Sequence, residues 1–402
     1  MKQLLAYCLS IILCVSFTGC MENYLDLYPE DKITSASFPE NESDIKLLLN
    51  GVYAQLREKE VYNQGLFGFG ITDGATPNAF NWGTDEVFNK LGAGRLSSSD
   101  GGVVTYRWKR CYEIISRANY LLACMDLVDL SEEAKAKYSG ETHFLRGLAY
   151  SVLAETYGGV PIILTDISTE EARSLKRASL EETWQQALDD YEVAITNLGV
   201  DAPEPGRATK GAALGMKMRA YLYQGKYKEV LSCVEQIDAL KKYGLFHSYE
   251  GLFDPANENN KEVLFDIQYI EGENSQGSYI DQYCGTGTGS WTRGSRYVPT
   301  DDLVAAYETI DGSPVDPENP YENRDPRLGF TAVLPGSYFL GYRFPNYLYP
   351  GGAFNHAGNR LKHLSTRKYR IQDESKLPPS GQSYINDIIL RYADVLLSKA
   401  EA

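Results

Sequence analysis

Two tryptophans stand in polar, glycine-rich stretches rather than on apolar stripes. Trp82 follows Asn78-Ala79-Phe80-Asn81, and Trp291 precedes Arg293 and Arg296. A flat ring beside amide or guanidinium donors can stack on the apolar C–H face of a sugar and hydrogen-bond its hydroxyls, much as aromatic platforms hold bases. Trp82 and Trp291 are therefore candidate stacking residues, with Asn78 and Asn81 as candidate amide donors. Asp73, Tyr283 and Tyr297 are weaker candidates in the same two regions. Burial as a local loop anchor is the competing assignment for each of these tryptophans. Trp108 and Trp184 instead lie on helical apolar stripes and are assigned to the core.

Other chemistries find no constellation to carry them. There is no Gly-x-Ser-x-Gly elbow. Gly285-Thr286-Gly287-Thr288-Gly289 lacks both the Lys-Ser/Thr of a phosphate loop and the spacing of a dinucleotide fingerprint, so no cofactor is expected. His143, His247, His356 and His363 do not pair at metal-ligand spacing, so no metal is expected either. A glycoside hydrolase needs only two carboxylates about 5–9.5 Å apart. Asp301-Asp302 and Asp73 are conceivable, but 54 acidic residues make such pairs common by chance. A non-enzyme is the expectation. The net charge of −15 argues against nucleic acid, which demands a positive footprint. Thirty Tyr against 14 Phe suit wet, adaptable surfaces.

The elements that must position these residues are mostly helical. Ile45, Leu48, Leu49, Val52, Tyr53 and Leu56 fall on one helical face, with Asn41 or Ser43 as cap. Trp108, Tyr112, Ile115, Asn119 and Leu122 repeat at spacings of four and three, as do Trp184, Leu188, Tyr191, Ile195 and Leu198. A helix from about Ser131 stops at Gly158-Gly159-Val160-Pro161. Helices over 207–224 and 227–241 are joined by Gln224-Gly225-Lys226. Ala213, Leu214, Arg219, Ala220, Tyr223, Gly225 and Tyr227 make that pair resemble a tetratricopeptide hairpin. Each helix has one apolar stripe, and stacked hairpins bury all of them. Residues 61–102 and 244–382 are instead rich in Gly, Asn and Pro. They hold a short strand pattern near Glu262–Tyr269, a short helix near Asp301–Tyr307 and a Tyr-rich run over 338–354. The fold class expected is mainly α: a tetratricopeptide-like hairpin scaffold (about 41–60, 103–241 and 383–402) bearing a large irregular region with short strands, together one domain over 41–402.

The amino terminus carries an address. Leu4 to Phe17 is almost wholly apolar, too short to span a bilayer and of signal-peptide length. Phe17-Thr18-Gly19-Cys20 resembles a bacterial lipobox, although Phe17 replaces the usual Leu. Residues 1–19 are assigned to the signal, Cys20 to lipidation and 20–40 to an extended tether. Of the remaining cysteines, Cys111, Cys124, Cys233 and Cys284, buried free thiols are favoured over disulfides.

An ordered set of motifs is similar to the SusD/RagB family of outer-membrane nutrient-binding lipoproteins of Bacteroidetes. The set runs Tyr24-Leu25-Asp26-Leu27-Tyr28-Pro29, Leu49-Asn50-Gly51-Val52-Tyr53, Arg117-Ala118-Asn119 and Phe144-Leu145-Arg146-Gly147-Leu148-Ala149-Tyr150. It continues with Tyr157-Gly158-Gly159-Val160-Pro161, Arg207-Ala208-Thr209, Asn323-Arg324-Asp325-Pro326-Arg327-Leu328 and Arg391-Tyr392-Ala393-Asp394-Val395-Leu396-Leu397. The resemblance implies a non-catalytic protein that is lipid-anchored at the outer membrane. It implies capture of an oligosaccharide, or in some members a peptide, above a TonB-dependent transporter. Family members place ligand aromatics in loops of the same two regions as Trp82 and Trp291. They also run on past the Arg-Tyr-Ala-Asp helix, whereas this chain stops at Ala402. Residues 387–402 are thus expected to form one helix at a truncated C-terminus. Its apolar surface (Ile388, Ile389, Tyr392, Val395, Leu396, Leu397) would await a following helix.

Overall fold

The structure is a computed structural model and describes residues 38–57, 72–81, 90–270, 277–278, 297–344, 364–376 and 383–402. Helix α1 (Glu42–Ala54) starts where Asn41 Oδ1 accepts the backbone N–H groups of Ser43 and Asp44 at 2.9 and 3.3 Å. Such a cap satisfies donors that the first turn leaves without a partner. Ile45, Leu49 and Val52 point inward from α1 and are fully buried. Then come α2 (Val103–Cys124) and α3 (Glu132–Tyr157), followed by the single-turn α4 (Thr169–Ser174) and α5 (Leu180–Asn197). Ser131 caps α3, and Gly158 ends it at φ 76, in the left-handed region that glycine tolerates. Helices α6 (Lys210–Tyr223) and α7 (Tyr227–Ala239) form the hairpin anticipated around Gly225.

α3 lies along α5, α5 along α6, and α6 along α7, so consecutive helices stack as hairpins. The close approach of α3 to α5 depends on Gly147, where an added Cβ would sit 3.1 Å from the Ala187 carbonyl oxygen. A buried ion pair ties the two helices: Arg146 Nη2 donates to Asp190 Oδ1 at 2.7 Å and Nη1 to Asn119 Oδ1 of α2 at 2.8 Å. Asn119 Nδ2 then donates to the carbonyl of Ile163, which also accepts from the Tyr150 hydroxyl at 2.9 Å. Tyr112 holds the Pro161 carbonyl at 2.7 Å. The motif residues Tyr112, Asn119, Arg146 and Tyr150 thus pin the segment that follows Gly158-Gly159 against the bundle.

Strands come in two-stranded antiparallel ladders. In chain order they are β1 (Ala79–Asn81), β2 (Val263–Ile267), β3 (Tyr297–Pro299), β4 (Ala332–Val333), β5 (Tyr338–Phe339), β6 (Tyr342–Arg343), β7 (Ser365–Thr366) and β8 (Asp387–Arg391). Among the described residues β1 pairs with β3, β2 with β8, β4 with β7 and β5 with β6. Helices α8 (Asp301–Ala306) and α9 (Arg327–Thr331) lie between β3 and β4, and α10 (Tyr392–Glu401) ends the chain.

Here one expectation is corrected. Residues 387–402 are not a single helix, because Asp387–Arg391 is a strand and the helix begins at Tyr392. The run Ile388-Ile389-Leu390 finds a partner in β2, with irregular register around Phe265, and packs beneath α6. Strand pairing leaves Ile388 and Leu390 6% and 1% exposed, while Val395 of α10 is fully buried. Of the apolar surface expected to await a helix, Leu397 is the part that remains open, at 68% exposure.

A continuous core runs through α1, α2, α3, α5, α6, α7 and the β2–β8 ladder. Trp184 is buried and Trp108 packs against this core, as their stripes indicated. Cys111, Cys124 and Cys233 are free, buried thiols, and Cys284 lies outside the described residues. A small second cluster joins Val333, Phe339, Leu340 and Phe344. This cluster accounts for the described part of the Tyr-rich run, of which Tyr338 is exposed. Among the described residues, no helix is long and apolar enough to cross a membrane.

Candidate functional site

The two loop regions singled out in the sequence meet in the β1–β3 ladder. Ala79 pairs with Pro299, Phe80 with Val298 and Asn81 with Tyr297. Directly opposed residues of an antiparallel pair face the same side. Val298 is buried while Phe80 is 44% exposed, so the ladder is anchored at one strand and open at the other. The ladder extends by one bond, since Thr300 N donates to the Asn78 carbonyl at 3.1 Å, and the Thr300 hydroxyl donates to the Pro77 carbonyl. The same hydroxyl accepts from Leu303 N at 3.1 Å, capping α8. One threonine therefore welds the 72–81 segment to the start of α8.

Upstream, a one-turn 3-10 helix (Thr72–Ala75) carries Asp73. Thr76 folds back on it: the Thr76 hydroxyl and N–H donate to the Asp73 carbonyl at 2.7 and 2.9 Å, and Asn78 N donates to Thr76 Oγ1 at 3.1 Å. Asp73 and Asn78 are both exposed. Crowding of the carboxyl raises the Asp73 pKa, while the Lys368 charge and a hydrogen bond from the Asn78 side chain oppose the rise. On its other side, β3 packs against β7.

Of the residues singled out, Asp73, Asn78, Asn81 and Tyr297 are brought together on this ladder and its approach. Trp82, Trp291 and Tyr283 lie outside the described residues, as does Cys20. Phe80, outside the set of ligand residues expected from the sequence, is an exposed aromatic on the ladder itself. Its position between the amides of Asn78 and Asn81 was the available signal. Asp301 and Asp302 occupy the first turn of α8 and are exposed.

Away from the ladder, two carboxyls accept from one asparagine, one from its side-chain amide and one from its backbone N–H. Asp266 Oδ2 accepts from Asn386 Nδ2 at 3.1 Å, and Glu258 Oε1 accepts from Asn386 N at 2.7 Å. Burial pushes Asp266 up to about 6 and Glu258 up to about 7. Among the described residues, no group of three or more His, Cys, Asp or Glu is arranged to hold a metal. A groove of about 460 Å³ opens between the 201–209 segment and β2.

Residues 23–222 match a family model described as "Starch-binding associating with outer membrane", and residues 261–402 match the SusD family model. The SusD-like protein P25 of Formosa agariphila is 26% identical over 321 residues, covering 74% of this chain and 58% of that protein. A SusD-like protein of Bacteroides ovatus is 24% identical, covering 96% of this chain and 69% of its own length. The chain thus spans about six-tenths to seven-tenths of these curated relatives. The crystal structure of a SusD-like carbohydrate-binding protein of Bacteroides fragilis superposes with a TM-score of 0.79 at 26% identity, over 90% of this chain and 73% of that one. The helical hairpins and irregular ladder region, the ordered motifs that build them and the two adjoining family matches agree, and the chain belongs to the SusD/RagB family of Bacteroidetes.

Proposed function

We propose that this protein is a glycan-capturing surface lipoprotein whose binding platform is built on the β1–β3 ladder. The observation that carries the reading is the pairing of Ala79–Asn81 with Tyr297–Pro299. It pairs two segments far apart in sequence, with Phe80 exposed on one strand and Val298 buried on the other. An exposed aromatic ring, Phe80, two residues from an exposed amide, Asn78, suits a ligand that offers both flat apolar faces and hydroxyls. The carbohydrate-binding description of the Bacteroides fragilis relative supports the same ligand class. In this reading Trp82 and Trp291 stack on sugar rings, and Asn78, Asn81, Asp73, Tyr283 and Tyr297 serve hydroxyls. The protein performs no catalysis. Lipid on Cys20 holds it to the outer membrane, and captured oligosaccharide passes to a TonB-dependent transporter.

The test is a binding screen of the soluble protein lacking residues 1–20 against panels of oligosaccharides and peptides. Saturable binding of one or a few related glycans is expected. Binding of peptides alone, or of nothing in either panel, overturns the reading.

A further inference from the structure

We propose that Arg324 is a positioning residue of the candidate platform: it gathers the carbonyls at the end of α8 and so holds Thr300 against the 72–81 segment that supplies β1. The inference rests on the platform reading above and adds what keeps its two strands together.

Arg324 belongs to the motif Asn323-Arg324-Asp325-Pro326-Arg327, which supplies no residue to the platform itself. Its side chain is buried, with the residue 7% exposed. Nε donates to the Tyr307 carbonyl at 3.1 Å, Nη2 to the Val304 carbonyl at 2.6 Å and Nη1 to the Pro320 carbonyl at 2.6 Å. Among the described residues the partners of the guanidinium are these three carbonyls, so a buried charge is met by backbone oxygen alone. The last carbonyls of a helix have no partner within it and carry partial negative charge. A planar fork of donors can serve several such oxygens at once, whereas an ammonium is a single point.

The chain around Arg324 sets where the fork points. Ile310 N donates to the Asn323 carbonyl at 2.8 Å and Asp325 N to the Glu308 carbonyl at 2.8 Å, which bridges Arg324 to Thr309. Asn323 takes φ 54, a left-handed value that asparagine adopts more readily than most residues. Just beyond, Asp325 Oδ1 accepts from Arg327 N at 2.9 Å where α9 begins, and the Tyr307 hydroxyl meets Thr331 Oγ1 at 2.9 Å where α9 ends. The end of α8 is therefore fixed from several sides, with Arg324 at the centre.

The start of α8 carries the ladder. α8 has six residues, too few to persist without capping and packing. Thr300 caps its first turn through Leu303 N, while its own N–H and hydroxyl donate to the carbonyls of Asn78 and Pro77. A ladder of three residue pairs is equally marginal on its own. Loosening the far end of α8 frees its first turn, and with it the Thr300 hydroxyl that grips Pro77. The guanidinium bonds to neither strand, so its effect on them runs through α8 and Thr300.

The test is amide hydrogen exchange on peptides covering 72–81 and 297–306 in the full soluble chain, with α5 peptides as internal reference. Arg324→Lys keeps the charge but replaces the fork by one ammonium. It should raise exchange in both ladder peptides about tenfold while leaving α5 unchanged. Thr300→Val, which removes the hydroxyl, should raise exchange in 72–81 to a similar degree, and Thr300→Ser, which keeps it, should retain the parent's protection. Combining Arg324→Lys with Thr300→Val should add little to either. Five results each overturn the proposal: unchanged ladder exchange in Arg324→Lys, a rise confined to 307–326, protection lost in α5 as well, Thr300→Ser exchanging as fast as Thr300→Val, or additive effects in the double variant. A parallel titration of the unmodified chain with maltohexaose, laminarihexaose and xylohexaose separates the two ideas. No binding there counts against the platform reading, whereas the exchange result judges Arg324 regardless of ligand.

Discussion

Replacing Asp266 by Asn should change the pH dependence of stability in a calculable direction. Asp266 is 4% exposed, with Oδ1 accepting from Gln268 Nε2 at 2.7 Å and Oδ2 from Asn386 Nδ2 at 3.1 Å. Two donors do not make up for lost water, and burial raises the carboxyl from 3.8 to about 6. Between these values the folded chain holds a proton that the unfolded chain has released, so stability falls as pH rises through the window. The contribution is fully present below the unfolded value and gone above about 6. A shift of roughly two units at about 1.4 kcal/mol per unit makes the difference about 3 kcal/mol. Glu258 acts in the same direction over 4.5 to about 7, and it is more open to water. Asp266→Asn removes the titrating group, and by removing its charge also eases the rise at Glu258. Urea titrations of both proteins at pH 4, 5, 6, 7 and 8 give the assay. The variant should gain on the parent by about 3 kcal/mol between the lowest and highest pH, most of it between 4 and 6. A stability difference that stays flat to within about 0.5 kcal/mol refutes the reasoning.

Three further outcomes follow from particular contacts. Arg146→Met leaves Asp190, 1% exposed, as a buried charge without its guanidinium, and should cost about 3–5 kcal/mol in urea unfolding, whereas Arg146→Met with Asp190→Leu should recover much of the loss; a cost under about 1 kcal/mol for the single change contradicts the network's role. Gly159→Ala would put a Cβ 2.0 Å from the Ala178 carbonyl oxygen, so backbone must move and the melting temperature should drop by several degrees, on the order of 1–3 kcal/mol; an unchanged melting curve argues against this packing. Cys20→Ala should move the protein out of the membrane fraction in cells lacking the transporter, because stable anchoring needs at least two acyl chains and the change removes their attachment point; a variant still found with membranes contradicts lipidation at that residue.

The helical scaffold was legible because each helix declares itself locally. Stripes such as Trp184, Leu188, Tyr191 and Ile195 have a period, and Ser131, Gly158 and Gly225 punctuate the ends. The capping box of Ser179 and Glu182 was a further readable signal: Glu182 N donates to Ser179 Oγ at 3.1 Å and Ser179 N to Glu182 Oε2 at 2.7 Å. The strand Asp387–Arg391 was not legible. Five residues running straight into a good helix former share its apolar pattern, and only the distant partner Val263–Ile267 decides the matter. At the site, sequence texture identified both loop regions. Their pairing was hidden, because three-residue strands are too short to show a period.

The central claim is that the surface around the β1–β3 ladder binds glycan through exposed aromatics rather than serving as packing. It is tested most directly by measuring affinity and melting temperature on the same two variants, Trp82→Ala and Trp291→Ala, with a glycan that binds the parent chain. Loss of a stacking ring should cost about 1–3 kcal/mol, a roughly ten- to hundredfold weaker dissociation constant. Rings that serve the ligand and not the packing should leave the melting temperature nearly unchanged when removed. Variants that melt early yet keep the parent's affinity would make both rings structural anchors and contradict the account.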